Sequence, residues 1–194
     1  MARKNPTVAL FAKFPLPGLA KTRLVPELGE DGAADLHRRL VERTLATVRE
    51  SGLPLEVWTT GAERGEFVRW LGSSVPLVEQ GGGDLGDRLE RVTPPAILLG
   101  ADVPDLAIKH LSDAAAALAE VPVVIGPAAD GGYYLLGFRE PVPFLFADMR
   151  WGTDAVLEET LDRLRERRME FRLLDTLRDC DRPEDLTHWP DLTA

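Results

Sequence analysis

The chain has 194 residues, 44% of them hydrophobic, which suffices for one sizeable core and favours one domain over two. A formal net charge of -9, from 23 basic and 32 acidic residues, argues against a surface built to follow a nucleic-acid backbone or an anionic membrane. The one cysteine, Cys180, excludes an internal disulfide, and no Cys/His cluster has zinc-ligand spacing. A reducing, cytoplasmic setting and small-molecule partners are therefore expected, with no nucleic acid and no membrane; the oligomeric state stays open.

The opening MARKNPTVALFAK is basic like a signal peptide, but its apolar run over residues 8–12 stops at Lys13. Nowhere does an apolar stretch approach spanning length. Residues 7–12 read as the first strand, and FAKFPLPGLAKTRL (residues 11–24) continues from it. This segment comes close to a phosphate-binding P-loop, yet Ala20 precedes Lys21 and Pro15 stands where the first glycine belongs. The result is a loop with three cations, Lys13, Lys21 and Arg23, stiffened by Pro15 and Pro17 and hinged at Gly18. It would hold an anion with side chains more than with backbone, Thr22 adding a hydroxyl or simply holding the turn.

Further along, Leu36, Leu40, Val41, Leu45 and Val48 make one apolar stripe on a long first helix. Short, nearly continuous apolar runs at 55–59, 76–78, 96–100 and 121–125 have the pattern of strands buried on both faces. Leu111, Ala114, Ala115 and Leu118 mark another helix, and Val156, Leu157, Thr160, Leu161 and Leu164 a last one. GGGD (81–84) reads as a loop, and GDLGDRL opens a short helix on which Arg88 either points into a cleft or pairs with Asp84 at i, i+4. Alternating strands and helices imply a layered α/β domain with a mainly parallel sheet, whose ligands bind beyond the carboxyl ends of the strands.

That rule selects three loops: the cationic one, GADVPDL (100–106) and GPAADGGYYLLG (126–137). Asp102, at a strand end, is read as a ligand for magnesium or manganese, hard cations that prefer carboxylate and phosphate oxygen. Asp105 is read as the cap of a helix starting near Leu106. Asp130 precedes Gly131 and Gly132, which either allow close backbone approach or form a turn into a strand carrying Tyr133 and Tyr134. Thr153, in Trp151-Gly152-Thr153, reads as a helix cap, although Trp151 also suits a pocket wall. In DCDRPEDL, Asp179 and Asp181 either approach the metal site or, for Asp181, cap a short helix at Pro183. His37 and His110, within helices and without an evident partner, read as surface or satisfied structural residues.

The segments FAKFPLPGLAKTRL, GDLGDRL, GADVPDL, GPAADGGYYLLG, WGTDAVLEETL and DCDRPEDL run in order across almost the whole chain. With them the sequence resembles a bacterial family of glycosyltransferase-like proteins, DUF2064, with the glycosyltransferase-A fold, a three-layer α/β/α arrangement. The fold is also similar to that of nucleotidyltransferases making molybdenum-cofactor dinucleotides or a guanylylated phospholactate. The resemblance implies one such domain over residues 1–194, a magnesium or manganese ion, and a nucleotide-sugar or nucleoside triphosphate donor with a small-molecule acceptor. By the same resemblance Lys21 and Arg23 face phosphates and Asp102 occupies the metal-ligand position; these three are the catalytic candidates, to which the residues themselves add Lys13, Thr22 and Arg88 as phosphate-binding candidates and Asp130 as a second metal ligand. Gly131, Gly132, Tyr133 and Trp151 shape the acceptor side. The Asp-x-Asp of glycosyltransferases is replaced here by Asp-Val-Pro-Asp. Glycosyl transfer is the leading expectation; nucleotidyl transfer and a non-catalytic nucleotide-binding module are the alternatives.

Overall fold

In the computed structural model, residues 5–192 are described; the basic start of the opening segment, residues 2–4, lies outside them. Seven strands, β1 (Thr7–Lys13), β2 (Leu55–Thr60), β3 (Leu77–Glu79), β4 (Ala96–Leu99), β5 (Val123–Pro127), β6 (Tyr133–Phe138) and β7 (Phe171–Leu173), form one sheet in the order β3-β2-β1-β4-β6-β5-β7. Five helices, α1 (Val25–Ser51), α2 (Arg64–Leu71), α3 (Leu85–Glu90), α4 (Ile108–Leu118) and α5 (Val156–Glu166), cover its faces. Pairing is parallel except where β6 lies between β4 and β5. β1 sits in the middle, with Leu10 in register with Val57 on one side and Leu99 on the other.

Strand side chains alternate between faces, and the core divides accordingly. Val8, Leu10 and Ala12 pack with Val41 and Leu45 of α1, Phe67 of α2 and Leu111 of α4. Ala9 and Phe11 turn the other way, towards Leu89 of α3 and Leu161 and Leu164 of α5. These are the three layers expected. A third cluster joins Leu24, Leu36 and Leu40 to Cys180, Leu186 and Leu192, so the closing segment is packed against α1. Among the described residues, no helix is long and apolar enough to cross a membrane.

β1 leads through α1 to β2 on one side, whereas β4 leads through α4 to β5 on the other. The chain thus departs in opposite directions from two neighbouring parallel strands, which leaves a crevice beyond their carboxyl ends. The cationic loop and the Gly100–Asp102 turn both open onto it.

Candidate active site

Of the three loop cations that the sequence assigned to an anion, Lys21 and Arg23 are engaged by carboxylates. Lys21 sits in the left-handed region (φ 47, ψ 46) before the turn Thr22–Leu24, and its side chain is only 4% exposed. Its Nζ lies 2.6 Å from Asp102 Oδ1, donates to the Cys180 carbonyl at 2.8 Å and reaches Asp181 Oδ1 at 3.4 Å. Arg23 Nη1 meets the other Asp181 oxygen at 2.5 Å. Burial pulls the Lys21 ammonium down, but the Asp102 charge and contact, with Asp181 behind, hold its pKa above the usual lysine value. Lys13 instead closes its own loop, Nζ donating to the Leu19 carbonyl at 2.7 Å, and Thr22 is exposed on the turn.

On the acidic side, the Asp102 carbonyl accepts from Cys180 N–H at 2.7 Å, which ties the closing segment to the end of β4. The Asp102 carboxyl is 51% exposed, into the crevice. Its surroundings push its pKa up by desolvation, and Lys21 more than reverses this, leaving it below the ordinary aspartate value. Asp130 folds back on its own turn, Oδ1 accepting from Gly132 N–H at 2.9 Å. Burial, and then the charge of Asp130, raises the pKa of Asp179. Asp102, Asp130, Asp179 and Asp181 line one acidic cavity of about 190 Å³. Among the described residues no three His, Cys, Asp or Glu side chains are gathered closely enough to form a metal cage. The donor set fits a hard cation that takes one or two carboxylates from the protein and its remaining ligands from phosphates and water.

A second cavity, about 220 Å³ and largely apolar, adjoins the acidic one, and Gly100, Asp130, Gly132 and Tyr133 line both. Its walls are Phe11 of β1, Leu85 and Leu89 of α3, Leu98 of β4, Trp151 and Val156. The rings of Tyr133 and Trp151 meet edge to face, centroids 6.5 Å apart. Of the residues expected on the acceptor side, Gly132, Tyr133 and Trp151 line this cavity; Gly131 supports it from outside.

Several sequence readings are corrected. Arg88 neither pairs with the Asp84 carboxylate nor lines either cavity: its Nε donates to the Gly83 carbonyl at 3.1 Å, because Asp84 and Asp87 cap α3 reciprocally. Asp105 does not cap α4; it accepts from Trp189 Nε1 at 2.9 Å, and His110 takes the Ala107 N–H instead. Thr153 donates back to the Arg150 carbonyl rather than capping α5. The Pro183 turn is capped by Asp185, which frees Asp181 for Lys21 and Arg23. His37 takes the satisfied structural alternative of the two read for it: it is buried with Nε2 2.9 Å from the Lys13 carbonyl, and burial lowers its pKa against the pull of that bond and of Asp102. Its place three and four residues before Leu40 and Val41, on the apolar stripe, was the signal for this. Cys180 is buried and its thiol is pushed up to about 11, mainly by burial, so it is no nucleophile at neutral pH. Phe11, Leu85 and Leu89 escaped the sequence reading because apolar residues in core-like runs carry no chemical signature.

Residues 44–153 match the model of a family described as uncharacterized protein conserved in bacteria, DUF2064. A solved structure from Desulfovibrio desulfuricans G20, described as a candidate nucleotide-diphospho-sugar transferase, is similar with a TM-score of 0.89 and 32% identity, over 95% of this chain and 85% of that one. Rv0371c from Mycobacterium tuberculosis H37Rv, in its complex with manganese, shares the fold at 22% identity and a TM-score of 0.55, covering 95% of this chain and 97% of that one. So does 4-diphosphocytidyl-2C-methyl-D-erythritol synthase from Anaerococcus prevotii DSM 20548, at 13% identity and a TM-score of 0.57, over 95% and 96%. No curated protein matches the sequence. The fold is of the glycosyltransferase-A, nucleotide-diphospho-sugar transferase type.

Proposed function

The chain belongs to the DUF2064 family, and from that premise we propose that it is a metal-dependent transferase which takes a nucleotide-activated donor and moves a glycosyl group to a small-molecule acceptor. The observation carrying this reading is the convergence of Lys21 and Arg23 with Asp102 and Asp181, from three distant stretches of chain, at the crevice beyond β1 and β4. Lys21 and Arg23 bind the diphosphate of the donor, exchanging their carboxylate partners for phosphate oxygens of the same charge type. Held there, they stabilise negative charge that develops on the leaving nucleoside diphosphate. Asp102, with Asp130, is the side-chain pair that would hold magnesium or manganese, whose chemistry is to neutralise that same diphosphate. Tyr133 and Trp151 position the acceptor. We further take the chain as one domain, in keeping with the single sheet that β1 to β7 build, and as cytoplasmic, in keeping with one free cysteine.

Nucleotidyl transfer is the second reading, supported by the fold shared with 4-diphosphocytidyl-2C-methyl-D-erythritol synthase. The product separates the two. Incubation with nucleotide-sugars and magnesium or manganese is expected to release nucleoside diphosphate, slowly even without an acceptor, and a chelator should stop it. Pyrophosphate release from a nucleoside triphosphate that needs a phosphorylated acceptor would overturn the glycosyl reading. Neither product across both donor classes would overturn the transferase reading altogether.

A further inference from the structure

We infer that the apolar cavity between α3, β6 and α5 is the acceptor pocket and that it takes an uncharged molecule with an apolar body of one or two rings, presenting its hydroxyl at Asp130 and excluding phosphorylated acceptors. The word acceptor rests on the transferase reading; the chemistry of the pocket does not. A cavity of about 150 Å³ lined by apolar side chains takes benzene, and the 220 Å³ here accommodates a somewhat larger ring system. Its two amphipathic aromatics turn their polar edges away. The Tyr133 hydroxyl is buried, with Thr160 and Arg163 as its polar neighbours. Trp151 Nε1 is buried beside Gly86, where a Cβ would meet it at 3.1 Å. Apart from Asp130 and Thr153, the side chains facing the cavity offer ring surface and aliphatic wall.

Charge supports the exclusion. Among the described residues no Lys, Arg or His lines either cavity, whereas four aspartates line the adjoining one. Lys21 and Arg23, the cations of this crevice, are engaged by Asp102 and Asp181 and in the transferase reading go to the donor. A phosphomonoester lodged among Phe11, Leu89 and Trp151 would lose its hydration without gaining a donor, next to like charge. Recognition of a nucleobase also fits poorly, since base reading needs several convergent hydrogen-bonding groups and the polar side chains on these walls are few, Asp130 and Thr153.

Isothermal titration of the intact protein with 2-naphthol and with 2-naphthyl phosphate tests this directly, without nucleotide. We expect 2-naphthol to bind and the phosphate ester to bind at least tenfold more weakly. Leu85→Glu, at a residue 40% exposed and so tolerant of exchange, should abolish naphthol binding, and Leu85→Met should restore it. No naphthol binding, equal or tighter binding of the ester, or displacement of naphthol by adenosine or uridine would each overturn the inference. Naphthol binding with the expected pattern, in a protein that turns over no donor, would leave the pocket standing and remove the transferase reading alone.

Discussion

At the scale of single residues, the ion pair of Lys21 and Asp102 decides both stability and any test of function. An ammonium that is 4% exposed must be compensated, and here two carboxylates and a carbonyl do so. Asp102→Asn removes the nearest of them. A fully buried pair broken in this way loses about 3–5 kcal/mol, but Asp102 is half exposed and Asp181 remains, so we expect a loss of about 1–2 kcal/mol. Urea denaturation measures it. Asparagine at 102 is therefore not a silent control: weaker nucleotide binding must be separated from the lost stability. The Lys21→Met, Asp102→Asn double variant isolates the stability part, read by denaturation alone, because removing both partners leaves no unpaired buried charge. Its destabilisation should fall short of the sum of the two single losses. Strict additivity would mean that the 2.6 Å contact contributes nothing.

Elements show a different dependence, in which one turn positions a whole helix. Gly131 has φ +90, and a Cβ there would stand 2.2 Å from the Asp154 carbonyl oxygen, while its own carbonyl accepts from Leu157 N–H at 2.9 Å. The β5–β6 turn thus seats the first turn of α5 against the sheet and fixes Asp130 and Tyr133 beside the cavities. Gly131→Ala would meet both an unfavourable φ and a backbone clash, and we expect a loss of about 2–4 kcal/mol, read from the denaturation midpoint. Gly152→Ala, also at positive φ but with nothing within 4 Å, should cost less; equal losses would assign the effect to φ alone. Gly131 and Gly132 were legible in the sequence as a turn, but the contact of Gly131 with Asp154 was not. β1 and β4 were readable because burial on both faces leaves a nearly continuous apolar run, and β2 because its centre, Val57 and Trp58, is buried likewise. β7 was not, since it is a short edge strand with exposed Arg172 and Leu173. The loop cations and strand-end aspartates were recognised by type and place; the direct contact of Lys21 with Asp102, and those of Lys21 with Cys180 and Asp181 some 160 residues further on, join distant stretches and leave no local pattern. Caps predicted at Asp105 and Thr153 failed for a related reason: Trp189 and the Arg150 carbonyl, one distant and one local, offered those side chains other bonds.

Across the whole molecule, the stability of the fold should carry a pH signature set by His37. This imidazole lies where α1, the end of β1 and the crevice meet, bonded to the Lys13 carbonyl and facing the charges of Asp102, Lys21 and Lys13. Burial lowers its pKa below 6.5 in the folded protein, so as pH falls through 6.5 the unfolded chain takes up the proton first. The unfolded state then binds more protons, and stability declines with falling pH until the folded-state pKa is passed. The contribution is complete above 6.5, and its loss cannot be steeper than about 1.4 kcal/mol per pH unit for one group. Asp102, also lowered, adds a loss of the same sign only below its ordinary value of 3.8, and Lys21, raised, loses its contribution only as pH rises beyond 10.5. Asp179 is raised and works with the opposite sign, since protonation relieves first the cost of burying its charge and then its repulsion from Asp130. Between pH 7 and 5 His37 should therefore dominate. Urea denaturation of the parent protein at intervals across that range should show a falling free energy of unfolding, and His37→Gln, which keeps an N–H for the Lys13 carbonyl but cannot titrate, should flatten it. A slope that survives in His37→Gln would place the proton uptake on another group and reject this account of the crevice floor.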